Sequence, residues 1–297
     1  MTRKCGFVAI VGAPNAGKST LVNTLVGQKV AITSAKAQTT RTRLMGIAID
    51  GETQIVLIDT PGIFKPERRL DRAMVAAAWS GAEGADAIVL MVDAQKGLDA
   101  KVAAILDALA GRAEPLVLAI NKVDAVKKEP LLRLAEQLMA RAVFLEVHFI
   151  SAMSGDGVDG LKSALAAMLP DSDWHFPEDE VSDAPERQLA AEITREQLYR
   201  QLHEELPYAS AVETEVFTNR KDGSVEIRQQ ILVARDSQKA IILGKGGARI
   251  KAIGTAAREE ITAQLGRKCH LFLHVKVKPD WDEDRSIYKD MGLDWVD

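Results

Sequence analysis

The nine residues Gly12-Ala13-Pro14-Asn15-Ala16-Gly17-Lys18-Ser19-Thr20 constrain this chain more than any other stretch. They fit G-x-x-x-x-G-K-[ST], with the apolar run FVAIVG (7–12) before them and a helix-like segment (18–27) after. A loop of this kind turns its N–H groups inward onto phosphate oxygens, and the helix that follows adds positive potential. Lys18 is placed to reach the β- and γ-phosphates, and Ser19 offers a hydroxyl to Mg²⁺. A glycine-rich turn with a chance lysine is the competing reading. The strand before and the helix after weigh against it.

Three further turns follow apolar runs in the order a nucleotide site needs. Asp59-Thr60-Pro61-Gly62 offers a carboxylate for the Mg²⁺ shell and a Gly62 amide for a γ-phosphate, at the start of a loop that can sense that phosphate. In Asn121-Lys122-Val123-Asp124, the Asp124 carboxylate can accept two hydrogen bonds from guanine N1–H and N2–H₂. Adenine would leave that carboxylate unpaired, which predicts GTP and GDP as ligands. Asn121 can brace the phosphate loop and the Lys122 stem can cover the base. Ser151-Ala152-Met153 can present backbone N–H groups to guanine O6. Only the combination, in this order, specifies a GTPase.

The surrounding pattern predicts a mostly parallel sheet with helices on both faces. Apolar runs at 7–12, 54–59, 87–93, 115–121 and 143–151 alternate with helix-like segments near 18–27, 98–110, 130–141 and 158–169. From 187 the order changes. A helix (188–206), two strands (211–219 and 224–234) joined by Lys221-Asp222-Gly223, helices around Gly244–Gly247 and a strand (271–278) read as a smaller α+β domain.

Charge marks the boundaries. The chain of 297 residues carries a net charge of −4, which taken whole argues against nucleic acid. Yet residues 235–278 hold ten basic and three acidic groups, whereas 171–186 hold seven acidic groups and no basic one. Residues 280–297 are again acidic. The expected division is a nucleotide-binding domain (1–170), an acidic linker (171–186), a second domain (187–279) and an acidic C-terminal tail (280–297). Cys5 and Cys269 have no partners at metal-ligand spacing, and no run approaches the roughly 20 apolar residues of a membrane helix. The expected location is cytoplasmic, and no stable homo-oligomer is indicated.

The basic segment contains Gly244-Lys245-Gly246-Gly247 between two helices. A GxxG turn lets a nucleic-acid backbone approach closely, and the helix, hairpin, GxxG helix pair and strand match a KH-like RNA-binding domain. Lys245, Arg249 and Lys251 supply positive charge. Ile242, Ile250 and Ile253 either form a floor for bases or pack against the sheet. His270 and His274 fall on one face of a strand, too far apart to share an ion.

The four turn motifs resemble the TrmE–Era–EngA group of GTPases. With QTTR (38–41), DTPG and VKVKPDW in order and a KH-like domain behind, the whole chain resembles the Era family of that group. The resemblance implies a first switch at Gln38-Thr39-Thr40-Arg41, with Thr40 on Mg²⁺ and the γ-phosphate and Thr39 the competing choice. It implies K⁺ coordinated by Asn15, with an asparagine that only stabilises a turn after Pro14 as the competing reading. It further implies a GTP-controlled protein of small-subunit assembly, binding the 3′ end of small-subunit ribosomal RNA and the 30S-type subunit, with peripheral contact at the inner membrane face. A partner GTPase in tRNA modification and a membrane-associated signalling switch are the alternatives. Ile63 stands where Ras-like enzymes carry a water-orienting glutamine, and an isoleucine cannot hydrogen-bond water, so slow intrinsic turnover is expected.

Overall fold

Strand ends, not strand interiors, carry the motifs, and the computed structural model shows how the sheet gathers them. It describes residues 3–34, 36, 39–41, 43–203 and 206–296; Gln38 of the expected first switch lies outside the described residues. The chain forms two units, one up to Asp183 and one over Ala184–Trp295.

In the first unit, β1 (Lys4–Gly12), β2 (Leu44–Asp50), β3 (Thr53–Asp59), β4 (Ala87–Asp93), β5 (Leu116–Asn121) and β6 (Glu146–Ile150) form one sheet in the order β2-β3-β1-β4-β5-β6. All neighbours are parallel except β2 and β3. The helices are α1 (Lys18–Val26), α2 (Arg69–Ala82), α3 (Ala100–Leu109), α4 (Lys128–Met139) and α5 (Val158–Met168). Every residue of β3, β4 and β5 is buried, which explains their unbroken apolar runs. Each fully buried aliphatic side chain there contributes about 1.5–3 kcal/mol. Because β1, β3, β5 and β6 run parallel, residues 12–17, 59–62, 121–124 and 151–153 all emerge at the carboxyl edge, where open α/β sheets bind ligands.

Two elements were not expected from the sequence. β2 (LMGIAID) contains glycine and alanine in place of a strong apolar run, and α2 is alanine-rich, which blurs its period. The last strand is shorter than 143–151: Val143 and Leu145 lie exposed beside the edge strand β6.

The acidic stretch 171–186 is corrected from a linker to a strap for most of its length. The Ile47 N–H donates to the Val181 carbonyl at 2.9 Å, the Met45 N–H to Asp183 Oδ1 at 3.1 Å, and Gly46 pairs with Ser182. Further back, the buried Gln54 side chain accepts from the His175 and Phe176 amides (3.0 and 3.1 Å), the His175 ring stacks on Phe7 at 5.4 Å, and the Trp174 indole donates to the Glu52 carbonyl. The backbone of this stretch satisfies the open edge of β2, a demand that composition does not reveal.

In the second unit, α6 (Glu186–Gln201) precedes β7 (Ser210–Asn219) and β8 (Val225–Val233), followed by α7 (Asp236–Leu243), α8 (Ala248–Leu265) and β9 (Cys269–Val277). The sheet order is β7-β8-β9, antiparallel then parallel. Leu198, Ile242 and Ile253 from the three helices meet Ile231, Val233 and Val275 on one sheet face. The expected acidic tail is also corrected. Trp281, Ile287, Tyr288 and Leu293 are buried, a helix α9 (Arg285–Asp290) forms, and the Tyr288 hydroxyl donates to the Asp282 carbonyl at 2.6 Å. Its acidic residues surround an apolar anchor.

Candidate functional site

Residues 12–17 wrap the start of α1, whose first residue is Lys18. The Lys18 ammonium is buried and donates to the Gly12 and Ala13 carbonyls, each at 3.2 Å. Burial brings its pKa down to about 8, with Asp59 pulling it up. Asp59, wholly buried at the end of β3, is pushed above the usual carboxylate range by that burial, opposed by Lys18 and by hydrogen bonds from Ser19 and Thr40. The Ser19 and Thr40 hydroxyls lie 2.7 Å apart, and Thr40 Oγ1 donates to Asp59 Oδ2 at 3.1 Å. Asp59 Oδ1 has no hydrogen-bond partner. Two hydroxyls and a buried carboxylate with an orphaned oxygen make an oxygen donor set suited to a hard divalent cation such as Mg²⁺. Thr39 turns elsewhere, donating to the Lys36 carbonyl at 2.8 Å, so geometry favours Thr40 over its neighbour.

Gly62 lies against the phosphate loop. A Cβ there would come within 3.0 Å of the Pro14 backbone nitrogen and Cα, so only glycine lets the two segments approach this closely. The next amide, Ile63 N–H, donates to the Gly12 carbonyl at 3.1 Å, and the Ile63 side chain is buried in the apolar core.

Asn121 ties the base turn to the phosphate loop: its Nδ2 donates to the Ala16 carbonyl at 2.8 Å and its Oδ1 accepts the Ala152 N–H at 2.9 Å. The Ser151 N–H is bonded to the Asp156 carbonyl. Two of the three amides offered to guanine O6 are thus engaged within the protein, and Met153, with its side chain 88% exposed, carries the third. Asp124 is exposed beyond Lys122, and Thr20 lies in the first turn of α1. Sequence reasoning missed Asp93, which closes β4 and ion-pairs with Lys122. Its signal was a polar residue ending a buried strand, as Asp59 and Asn121 do.

In the second unit, Gly244, Gly246 and Gly247 all have positive φ, and they join α7 to α8. Lys245 and Lys251 are exposed. Arg249 is also exposed, but its guanidinium donates to the Ile241 carbonyl at 2.7 Å, closing the end of α7. Ile242 and Ile253 belong to the core, with Ile250 packed against it, so they are no floor for bases. The exposed apolar side chain beside the turn is Ile241, at 48%. Among the described residues no helix is long and apolar enough to cross a membrane.

A phosphate loop at the carboxyl edge of a parallel sheet, followed by a GxxG helix pair on a three-stranded sheet, defines a P-loop GTPase joined to a KH domain. Residues 7–122 match a family described as a 50S ribosome-binding GTPase, and residues 205–282 match the KH domain family. GTPase Era of Erythrobacter litoralis is 61% identical over 99% of this chain and 98% of its own, and that of a Bradyrhizobium species 57% identical over 98% and 95%. A crystal structure of Era in complex with MgGDPNP and nucleotides 1506–1542 of 16S ribosomal RNA superposes with a TM-score of 0.93, at 38% identity, covering 98% of this chain and 99% of that one. Aquifex aeolicus Era, as a tyrosine-to-alanine variant bound to GDP·AlF4⁻, gives 0.92 at 39% identity, covering 97% and 99%. The chain belongs to the Era family of GTPases.

Proposed function

We propose that this protein is a GTP-hydrolysing switch of small ribosomal subunit assembly, holding the 3′ end region of small-subunit ribosomal RNA when GTP is bound and releasing it after hydrolysis. The observation that carries the reading is the match, over nearly the whole chain, to Era captured with MgGDPNP and a 16S fragment. The exposed GxxG turn with Lys245 and Lys251 supports the same ligand here. A protein acting on the ribosomal subunit would do so in the cytoplasm.

In this reading the loop residues 13–17 and Thr20 surround the phosphates. Lys18 neutralises charge on the β- and γ-phosphate oxygens, and Gly62 gives its amide to the γ-phosphate. Ser19, Thr40 and Asp59 hold Mg²⁺, which when bound offsets charge on the transferring phosphoryl group. Lys122 and Asp124, with the Met153 amide, take the guanine, and Asn121 holds the Ala16 and Ala152 backbones around it. Ile63 orients no water, so intrinsic turnover is slow. Asn15, whose backbone is left-handed at φ 66, offers its side-chain carbonyl to K⁺ in the role an arginine finger plays elsewhere. Gly244, Lys245, Gly246, Gly247 and Lys251 clamp the RNA backbone, and Arg249 shapes the turn that does so.

Gly246→Asp tests the RNA half. A Cβ at Gly246 meets nothing within 4 Å, but its φ of 59 costs an L residue about 1–2 kcal/mol, so circular dichroism first checks that the variant, which puts a carboxylate in the phosphate path, is folded. RNA affinity should fall at least about tenfold with GTP binding unchanged. Normal binding of a 3′-end ribosomal RNA fragment by this variant would end the reading of the GxxG turn as the RNA clamp.

A further inference from the structure

Lys122 and Asn15 share an uncommon backbone state, with φ of 65 and 66. Among described non-glycine residues only Asp280, in the second unit, joins them in the left-handed region. One side chain links the pair: Lys122 Nζ donates to the Asn15 carbonyl at 2.9 Å and to Asp93 Oδ2 at 2.6 Å. Asp93 ends β4 directly beside Asn121 in the sheet register and is 5% exposed. Its second carboxylate oxygen accepts the Gln95 N–H at 3.0 Å. The carboxylate is therefore fixed to its own turn on one side and turned to the ammonium on the other.

We propose that Asp93 is a positioning residue of the nucleotide site, holding Lys122 across the phosphate loop and so slowing nucleotide release. A lysine stem has four carbons and many rotamers, and its tip is strongly hydrated. A buried carboxylate at charge-assisted distance selects the one rotamer that reaches Asn15. The phosphate loop then has two ties to the base turn, Asn121 to Ala16 and Lys122 to Asn15. Losing the second frees the Asn15 peptide to turn and lets the Lys122 stem leave the base. The inference rests on reading this site as the seat of the guanine nucleotide.

The test is the release rate of a fluorescent GDP analogue from the full-length protein. Asp93→Asn is nearly isosteric and keeps an oxygen for Gln95, but loses the charge that orients Lys122. It should release GDP about tenfold faster, and Asp93→Glu should recover part of that loss. Lys122→Met should also accelerate release, and adding Asp93→Asn to it should change the rate less than about twofold. A wild-type release rate in Asp93→Asn, or an undiminished effect of it in the Lys122→Met background, would overturn the proposal and leave Asp93 a turn cap only. Failure of the unsubstituted protein to retain GDP at all would instead bring down the nucleotide reading on which it rests.

Discussion

Removing the Asn121 side chain attacks the point where phosphate loop, base turn and the Ser151-Ala152-Met153 turn meet. Asn121 is 2% exposed, and Ala16 and Ala152, whose backbones it bonds, are equally buried at 1% and 2%. Asn121→Ala therefore strands one carbonyl and one N–H where water has poor access. Each orphaned group costs about 1–3 kcal/mol, so the pair costs about 2–6 kcal/mol. Because both groups belong to loops that surround the ligand, most of this loss should appear in nucleotide affinity. At least about a 30-fold weakening of GDP binding follows from the lower bound. Calorimetric titration of GDP into the variant measures it, and circular dichroism checks that the sheet survives. Asn121→Asp separates the two bonds, since a carboxylate still accepts from Ala152 but cannot donate to Ala16. It should be at least as damaging, because it also buries a charge. GDP affinity within threefold of the unsubstituted protein in Asn121→Ala would refute the bracing role.

Lys18 gives a pH signature. With its ammonium down at about 8 by burial, nucleotide phosphates restore the charge, so binding takes up a proton above that pH. GDP affinity should be flat below pH 8 and fall about tenfold per unit above it; affinity unchanged from pH 7 to 9.5 would contradict this. For the same reason, nucleotide-free protein should gain stability as pH rises from 8 toward about 10.4, since the unfolded chain binds more protons across that window. Denaturant melts at pH 7.5 and 9.5 read the sign. Hydrolysis should run faster in K⁺ than in Na⁺, with Asn15→Ala removing the difference, and equal rates in the two salts would sink the role given to Asn15.

The phosphate loop, DTPG and NKVD were legible because each follows a strand that is buried on both faces, and such strands announce themselves as unbroken apolar runs. β2 was not, since it is an edge strand containing Gly46, and neither was its partner, because strand-like pairing at 181–182 uses only backbone atoms. The choice between Thr39 and Thr40 needs the direction of a hydroxyl, which adjacent identical residues cannot encode. Asp93 was hidden for another reason. Its partner is 29 positions away, and the two meet only because β4 and β5 are neighbours in the sheet. At the C-terminus, charge composition concealed Trp281 and Tyr288, where a few buried aromatics outweigh several solvated carboxylates.

The strap along β2 bears on where this protein can be cut. A fragment ending at Pro170, the boundary that charge suggests, would lose the residues that cover Phe7, satisfy Gln54 and occupy the β2 edge. Such a fragment would present an open strand and a bare aromatic surface to its copies, the conditions under which sheets join edge to edge. A fragment ending at Asp183 keeps that edge closed. The thirteen residues between are, in the sense of solubility, part of the GTPase domain's own surface.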